Sequence, residues 1–220
     1  MKLNKVVLYG ATGLVGGYLL DELIHSADVE RIITIGRRSA EIKHPKVESI
    51  TLYTEDFATE IGRMAPDVVF CCLGTTRAKA GSKQAFRKID YELPVAIARA
   101  AAISGIKTMV VVSSIGANAS SGNFYLRTKG EMERDVLAAG LENVVIVRPS
   151  LLLGARKEYR FGEKIGEWFM KVFDRFMAGK WQKYRAIHGR SVAVAMLRLA
   201  LKAKGKHVFE SDQLAEIAKY

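Results

Sequence analysis

Tyr125 and Lys129 stand four residues apart in the run Tyr125-Leu-Arg-Thr-Lys129. On a helix, positions i and i+4 share a face, so a phenol and an ammonium so spaced can point the same way. A lysine ammonium beside a phenol favours the phenolate. The pairing gives an acid–base group usable near neutral pH. Upstream, Ser113 and Ser114 close the apolar run Met109–Val112. A Tyr-x-x-x-Lys spacing alone arises easily by chance and usually means a surface helix pair. The serines and a helix that starts about a dozen residues after them raise its specificity, and so does a glycine loop near the N-terminus.

That loop is Gly10-Ala-Thr12-Gly13-Leu14-Val15-Gly16, which follows the β-rich run Val6–Tyr9 and opens a helical pattern, Tyr18–Ile24. A helix N-terminus offers unpaired N–H groups and the positive end of a dipole, which suit a phosphate. Gly10 permits the tight turn, Gly13 lets a pyrophosphate approach the backbone, and Gly16 lets the helix pack close to the strands. The second strand, Ile32–Ile35, runs into Gly36-Arg37-Arg38, about twenty residues after Gly16. An acidic residue there would hold a ribose 2′-hydroxyl. Two arginines instead offer bidentate donors for a 2′-phosphate, so NADP(H) is the expected cofactor. After a third strand, Val47–Leu52, Asp56 is placed to accept from an adenine amino group with Phe57 beside the ring; a helix N-cap is an equal reading of Asp56.

The elements that must position these groups alternate. Asp67–Cys72 reads as a fourth strand buried on both faces, Gln84–Ser104 as a helix with Pro94 as a kink or restart, and Met109–Val112 as the fifth strand. Phe124–Ala139 reads as a helix capped by Gly140, and Val144–Val147 as the sixth strand. Nearly all-apolar strands separated by helices mean a parallel sheet covered on both faces. The expected class is α/β, a Rossmann-type doubly wound parallel sheet in one domain over residues 1–220, with a small C-terminal helical appendage on the substrate side. After Pro149, Phe161–Ala178 and Val192–Leu201 read as helices, His207–Glu210 as a last edge strand and Asp212–Ala218 as a final helix.

The net charge is +11, and residues 154–206 hold 14 Lys and Arg against 4 Asp and Glu. A basic block can attract phosphates, nucleic acid or an anionic membrane, although a solvated basic surface is the plainer reading. No motif for specific nucleic-acid binding accompanies it. The aromatic stripe Ile165–Met177 inside the block can serve as core, as a cover for a substrate pocket, or as a weak membrane-surface or protein contact. No run of about 20 uncharged apolar residues is present, so no transmembrane segment is expected. Lys2 and Lys5 before Val6–Leu20 imitate a signal peptide, but four glycines and the lack of a cleavage site argue against one. Cys71 and Cys72 are adjacent and geometrically ill-suited to a bridge, which favours core packing and a reducing, cytoplasmic setting. The scattered histidines give no metal site. Arg77, Lys79 and Lys83 cluster after the fourth strand, as a solvated loop or as steering for an anionic substrate.

Taken together these residues resemble the short-chain dehydrogenase/reductase superfamily in its atypical branch. The segments GATGLVG (10–16), IGRR (35–38), CCLGTTRAKAG (71–81), SSIGAN (113–118), YLRTKGEME (125–133) and RPSLLLG (148–154) look most like the Tat-interactive protein group of NADPH-binding oxidoreductases and its bacterial relatives. The resemblance implies that Tyr125 exchanges a proton with the substrate oxygen, that Lys129 holds the nicotinamide ribose, and that Ser114 orients the substrate, with Ser113 beside it. It also implies that Leu73, Gly74 and Thr75 line the cofactor's ribose side and that Pro149, Ser150 and Leu151 meet the nicotinamide amide. The asparagine that ordinary members carry on the fourth helix is not evident, and Asp90 sits nearby in its place.

The expected activity is hydride transfer to or from a small carbonyl or hydroxyl compound. The alternative is an NADPH-binding regulatory or adaptor protein whose basic region binds a partner. A sugar-nucleotide epimerase is disfavoured by the short tail. The helices over Gln84–Ser104 and Phe124–Ala139 are those that would build a homodimer.

Overall fold

Seven strands form one all-parallel sheet, and the reason lies in their composition. β1 (Leu3–Tyr9), β4 (Val68–Cys71), β5 (Thr108–Val112) and β6 (Asn143–Arg148) are almost wholly apolar and almost wholly buried. A strand of that kind needs cover on both faces. Along β1, Val6 and Leu8 enter one core while Val7 and Tyr9 enter the other. The computed structural model describes residues 2–154, 183–202 and 204–219, so the expected helix Phe161–Ala178 and its aromatic stripe lie outside the described residues.

The sheet order is β3-β2-β1-β4-β5-β6-β9, with β2 at Val29–Gly36, β3 at Val47–Thr51 and β9 at Lys206–Glu210. One face is covered by α1 (Leu14–His25), α7 (Gly189–Lys202) and α8 (Ser211–Ile217). The other is covered by α2 (Ile61–Met64), α5 (Leu93–Ile103) and α6 (Phe124–Leu137), with short α3 (Arg77–Ala80) and α4 (Lys83–Arg87) between β4 and α5 in the chain. The chain leaves β1 toward β2 on one side, and β4 lies on the other. The crevice between their carboxyl ends is therefore a topological switch point, where such sheets bind ligands.

Three local features differ from the sequence expectation. The helical stretch Gln84–Ser104 does restart at Pro94, as α4 and α5, but the two are joined by a π turn, Lys88–Glu92, that was not expected. α6 ends at Leu137 with Ala138 as its cap; Gly140, at φ +102°, comes two residues later. A two-residue parallel ladder pairs β7 (Leu152–Leu153) with β8 (Ile187–His188); a strand running into a helix over residues 187–196 is what the family resemblance implies, but β7 and its pairing were not anticipated.

Candidate active site

The glycine loop closes the crevice floor. Gly10 has φ +82°, and a Cβ there would sit 2.6 Å from the Cys72 carbonyl oxygen. A Cβ on Gly16 would lie 2.1 Å from the Gly10 carbonyl oxygen, so α1 and β1 approach as only glycine allows. Gly13 is the N-cap of α1, and no side chain caps that helix. Its first N–H groups therefore remain for a ligand. Thr12 and Gly13 are exposed at the rim. Leu14 and Val15 can contribute only backbone N–H groups there. The Val15 side chain is in the core, and Leu14 packs close to Gly154 and Gly189.

Arg37 and Arg38 are exposed immediately after β2 and have no ion pair among the described residues. Asp56 lies exposed on the 3-10 turn Thr54–Asp56 after β3; it is not the cap of α2, whose N-cap is Glu60. Phe57 departs from expectation. Its ring is 1% exposed, packs at 5.7 Å against Tyr9, and its carbonyl accepts the Tyr9 hydroxyl at 2.6 Å. The ring fills a core slot beneath β1, so it does not lie beside an adenine.

Tyr125 and Lys129 lie on the first turns of α6. Asn123 fixes that start, its Oδ1 accepting from the Tyr125 and Leu126 N–H groups at 2.9 and 3.2 Å. Tyr125 is half-buried beside Phe86, whose ring is 5.6 Å away. Lys129 is 3% exposed and its Nζ is 2.7 Å from Asp90 Oδ1. Burial works against the lysine charge, but Asp90 and Tyr125 outweigh it and hold the ammonium above the ordinary lysine range. Asp90 Oδ2 accepts from the Thr75 N–H at 2.9 Å. Gly74 is exposed above this pair, and Leu73 and Thr75 are half-buried on either side.

The serines are held against α6 by a glycine that the sequence analysis assigned no role. A Cβ on Gly130 would lie 2.1 Å from Ala119 N and 2.2 Å from Asn118 C. Asn118 N–H also bonds to the Leu126 carbonyl at 3.1 Å. The loop leaving β5 is thus pressed onto the helix that carries Tyr125. Ser113 is buried, and its Oγ has no hydrogen-bond partner among the described residues. Ser114 is half-buried, its Oγ donating weakly to Ile115 O at 3.4 Å. Pro149 ties the exit of β6 to this loop, its carbonyl accepting from Ile115 N–H at 3.0 Å. Leu151 is 49% exposed at the mouth. Ser150 faces elsewhere: its Oγ donates to the Arg185 carbonyl and lies 2.9 Å from Ser211 Oγ.

Cys71 and Cys72 are unsuited to nucleophilic work, since burial pushes the Cys71 thiol up to about 11 and the Cys72 thiol higher than usual as well. Surface cavities of about 230 and 240 Å³ lie beside β9 and between α1 and α7. Neither adjoins the Tyr125–Lys129 helix turn. No described helix is long and apolar enough to cross a membrane.

The glycine loop, the arginines, the buried Lys129–Asp90 pair and the serines all sit at the carboxyl ends of the strands. An anion-ready helix end, a cradle over Gly74 and the orphan Ser113 hydroxyl fit an extended dinucleotide. A family model, HIM1, matches residues 29–178, more than half of the chain. The chain is 40% identical over 171 residues to the FMP52 protein of Candida albicans, covering 73% of this chain and 75% of the relative. It is 37% identical over 205 residues to that of Emericella nidulans, covering 88% of each. The Bordetella bronchiseptica enzyme WbmH, solved in complex with NAD+, has the same fold at a TM-score of 0.72, with 16% identity, covering 98% of this chain and 79% of that one. These matches do not extend the resemblance to the Tat-interactive group. They also overturn the cytoplasmic expectation, because the FMP52 relatives are named as mitochondrial proteins. Two adjacent cysteines, ill-suited to bridge each other, do not choose among compartments.

Proposed function

The chain belongs to the HIM1 family, and from that premise we propose that it is an NADP(H)-dependent oxidoreductase of the short-chain type. The substrate would be a small carbonyl or hydroxyl compound, with Tyr125 as the acid–base group. The observation that carries the reading is the convergence of Tyr125, the buried Lys129 and the serine loop on a crevice whose floor is an uncapped helix N-terminus.

Gly10, Gly13 and Gly16, with the backbone N–H groups of Thr12, Leu14 and Val15, would hold the pyrophosphate. Arg37 and Arg38 would clasp a 2′-phosphate, and Asp56 would accept from the adenine amino group. Leu73, Gly74, Thr75 and Lys129 would line the ribose next to the nicotinamide. Pro149 and Leu151 would border the nicotinamide, and Ser150 would contribute through its backbone, since its hydroxyl is engaged. A bound nicotinamide would supply or accept hydride at the substrate carbon. The Tyr125 hydroxyl would give its proton to the substrate oxygen in reduction and take one in oxidation. Ser114, the more accessible serine, would orient that oxygen, and Ser113 would turn its unpartnered hydroxyl toward whatever fills the cleft.

The test is a binding titration with NADPH and NADH. Native protein is expected to bind NADPH the more tightly. Replacing Arg37 and Arg38 by alanine should remove that preference and leave a weak, equal affinity for both. Tyr125→Phe should keep NADPH binding yet lose roughly 10²–10⁴-fold in turnover on a carbonyl substrate found by screening. A native protein that binds neither nucleotide would end this reading.

A further inference from the structure

The turn between α4 and α5 is shaped around one residue. Pro94 has no N–H, so the α-helical bond to the Asp90 carbonyl cannot form. The backbone widens instead, and the Leu93 N–H reaches back five residues to Lys88 O. Widened turns of this kind recur at functional sites. Here the turn delivers Asp90 inward, to 1% exposure. One carboxylate then joins three elements: its own turn, the loop leaving β4 through Thr75 N–H at 2.9 Å, and α6 through Lys129 Nζ at 2.7 Å. Directly above it, a Cβ on Gly74 would stand 3.4 Å from Asp90 Oδ1 and 3.9 Å from Lys129 Nζ. Only the backbone of an exposed glycine covers the pair on that side.

We propose that Asp90 is a positioning residue for the ribose next to the nicotinamide. It holds the Lys129 ammonium against the Thr75 turn, where a sugar hydroxyl laid over Gly74 would meet it. A lysine has a long flexible stem, and ordering it on binding weakens affinity. Paired in advance, it is ordered before the cofactor arrives. This inference rests on reading the crevice as a nicotinamide dinucleotide site.

Asp90→Asn keeps the volume and an oxygen for the Thr75 N–H while removing the charge that holds Lys129. Native protein, Asp90→Asn, Lys129→Met and the double variant are titrated with NADPH and with 2′,5′-ADP, which lacks the nicotinamide ribose. Asp90→Asn should weaken NADPH about tenfold and leave 2′,5′-ADP unchanged. Lys129→Met should match it, and the double variant should lose no more, because the two act as a unit. Pro94→Ala lets the α-helical bond form and draws the carboxylate back, so it should show the same pattern more weakly. It also serves if Asp90→Asn does not fold. Equal loss of both ligands in Asp90→Asn would mean that Asp90 only supports the fold, and unchanged NADPH binding in Asp90→Asn or Pro94→Ala would equally overturn the proposal. If native protein binds 2′,5′-ADP and NADPH alike, the adenine half of the reading stands and the ribose role falls. If it binds neither, the dinucleotide reading itself fails and this inference with it.

Discussion

Two glycines of the crevice separate packing from ligand space. At Gly16 an added methyl group meets backbone at 2.1 Å, and backbone cannot step aside. Gly16→Ala should therefore lower stability by about 1–3 kcal/mol in urea unfolding, and ligand binding with it. At Gly74 the same methyl group finds only ordinary contacts, at 3.4 Å and beyond. Gly74→Ala should leave urea unfolding within about 0.5 kcal/mol of native and still weaken NADPH, because the methyl group stands where the ribose would pass. If Gly74→Ala binds NADPH normally, the cradle over Lys129 is not used. The glycine spacing was legible in the sequence because close approach within one turn is a local constraint. The partnership of Asp90 with Lys129 was not, since it depends on how far the π turn advances one helix toward another. Phe57 was misplaced for a similar reason. An aromatic after Asp56 fits an adenine or a core slot equally well, and the slot exists only because Tyr9 reaches across to its carbonyl.

At the scale of elements, α6 carries the proposed Tyr125–Lys129 pair at its start and a structural tie one turn on. Glu133 is 4% exposed, and its carboxylate pairs with Arg148 at the end of β6, at 2.9 Å to Nε and 2.5 Å to Nη2. The Glu133 hydrogen bond holds the Arg148 guanidinium above its ordinary range, against the opposing effect of burial. Removing one partner of such a pair strands the other. Glu133→Ala should cost about 3 kcal/mol in denaturant unfolding, and Glu133→Leu with Arg148→Met should recover much of it. A loss under about 1 kcal/mol would mark the pair as a surface contact in effect. The long elements were readable because their apolar periods are strong. The β7–β8 ladder was not, because two residues per strand show no period, and it joins parts of the chain far apart in sequence.

For the whole molecule, a count of basic residues misleads about what is displayed. Among the described residues of the basic C-terminal stretch, Arg190 pairs with Asp21 and Glu22, Lys183 with Glu210, and Arg198 donates to the Ile217 carbonyl. Lys206 donates to the Leu137 carbonyl. These described side chains tie the C-terminal elements to one another and to the helices beside them. The strand so tied, β9, lies outermost beside β6, whose Val144, Val145, Ile146 and Val147 are completely buried. Its own residues Lys206, His207 and Val208 are exposed. A short outer strand that carries an exposed lysine discourages a second molecule from adding its backbone there. Deleting residues from Lys206 onward would present the apolar run of β6, bare, to every other copy in solution. Such a truncated chain should pass from a discrete species in size-exclusion chromatography to insoluble, thioflavin-binding aggregate, so the last short strand guards solubility as much as it completes the sheet.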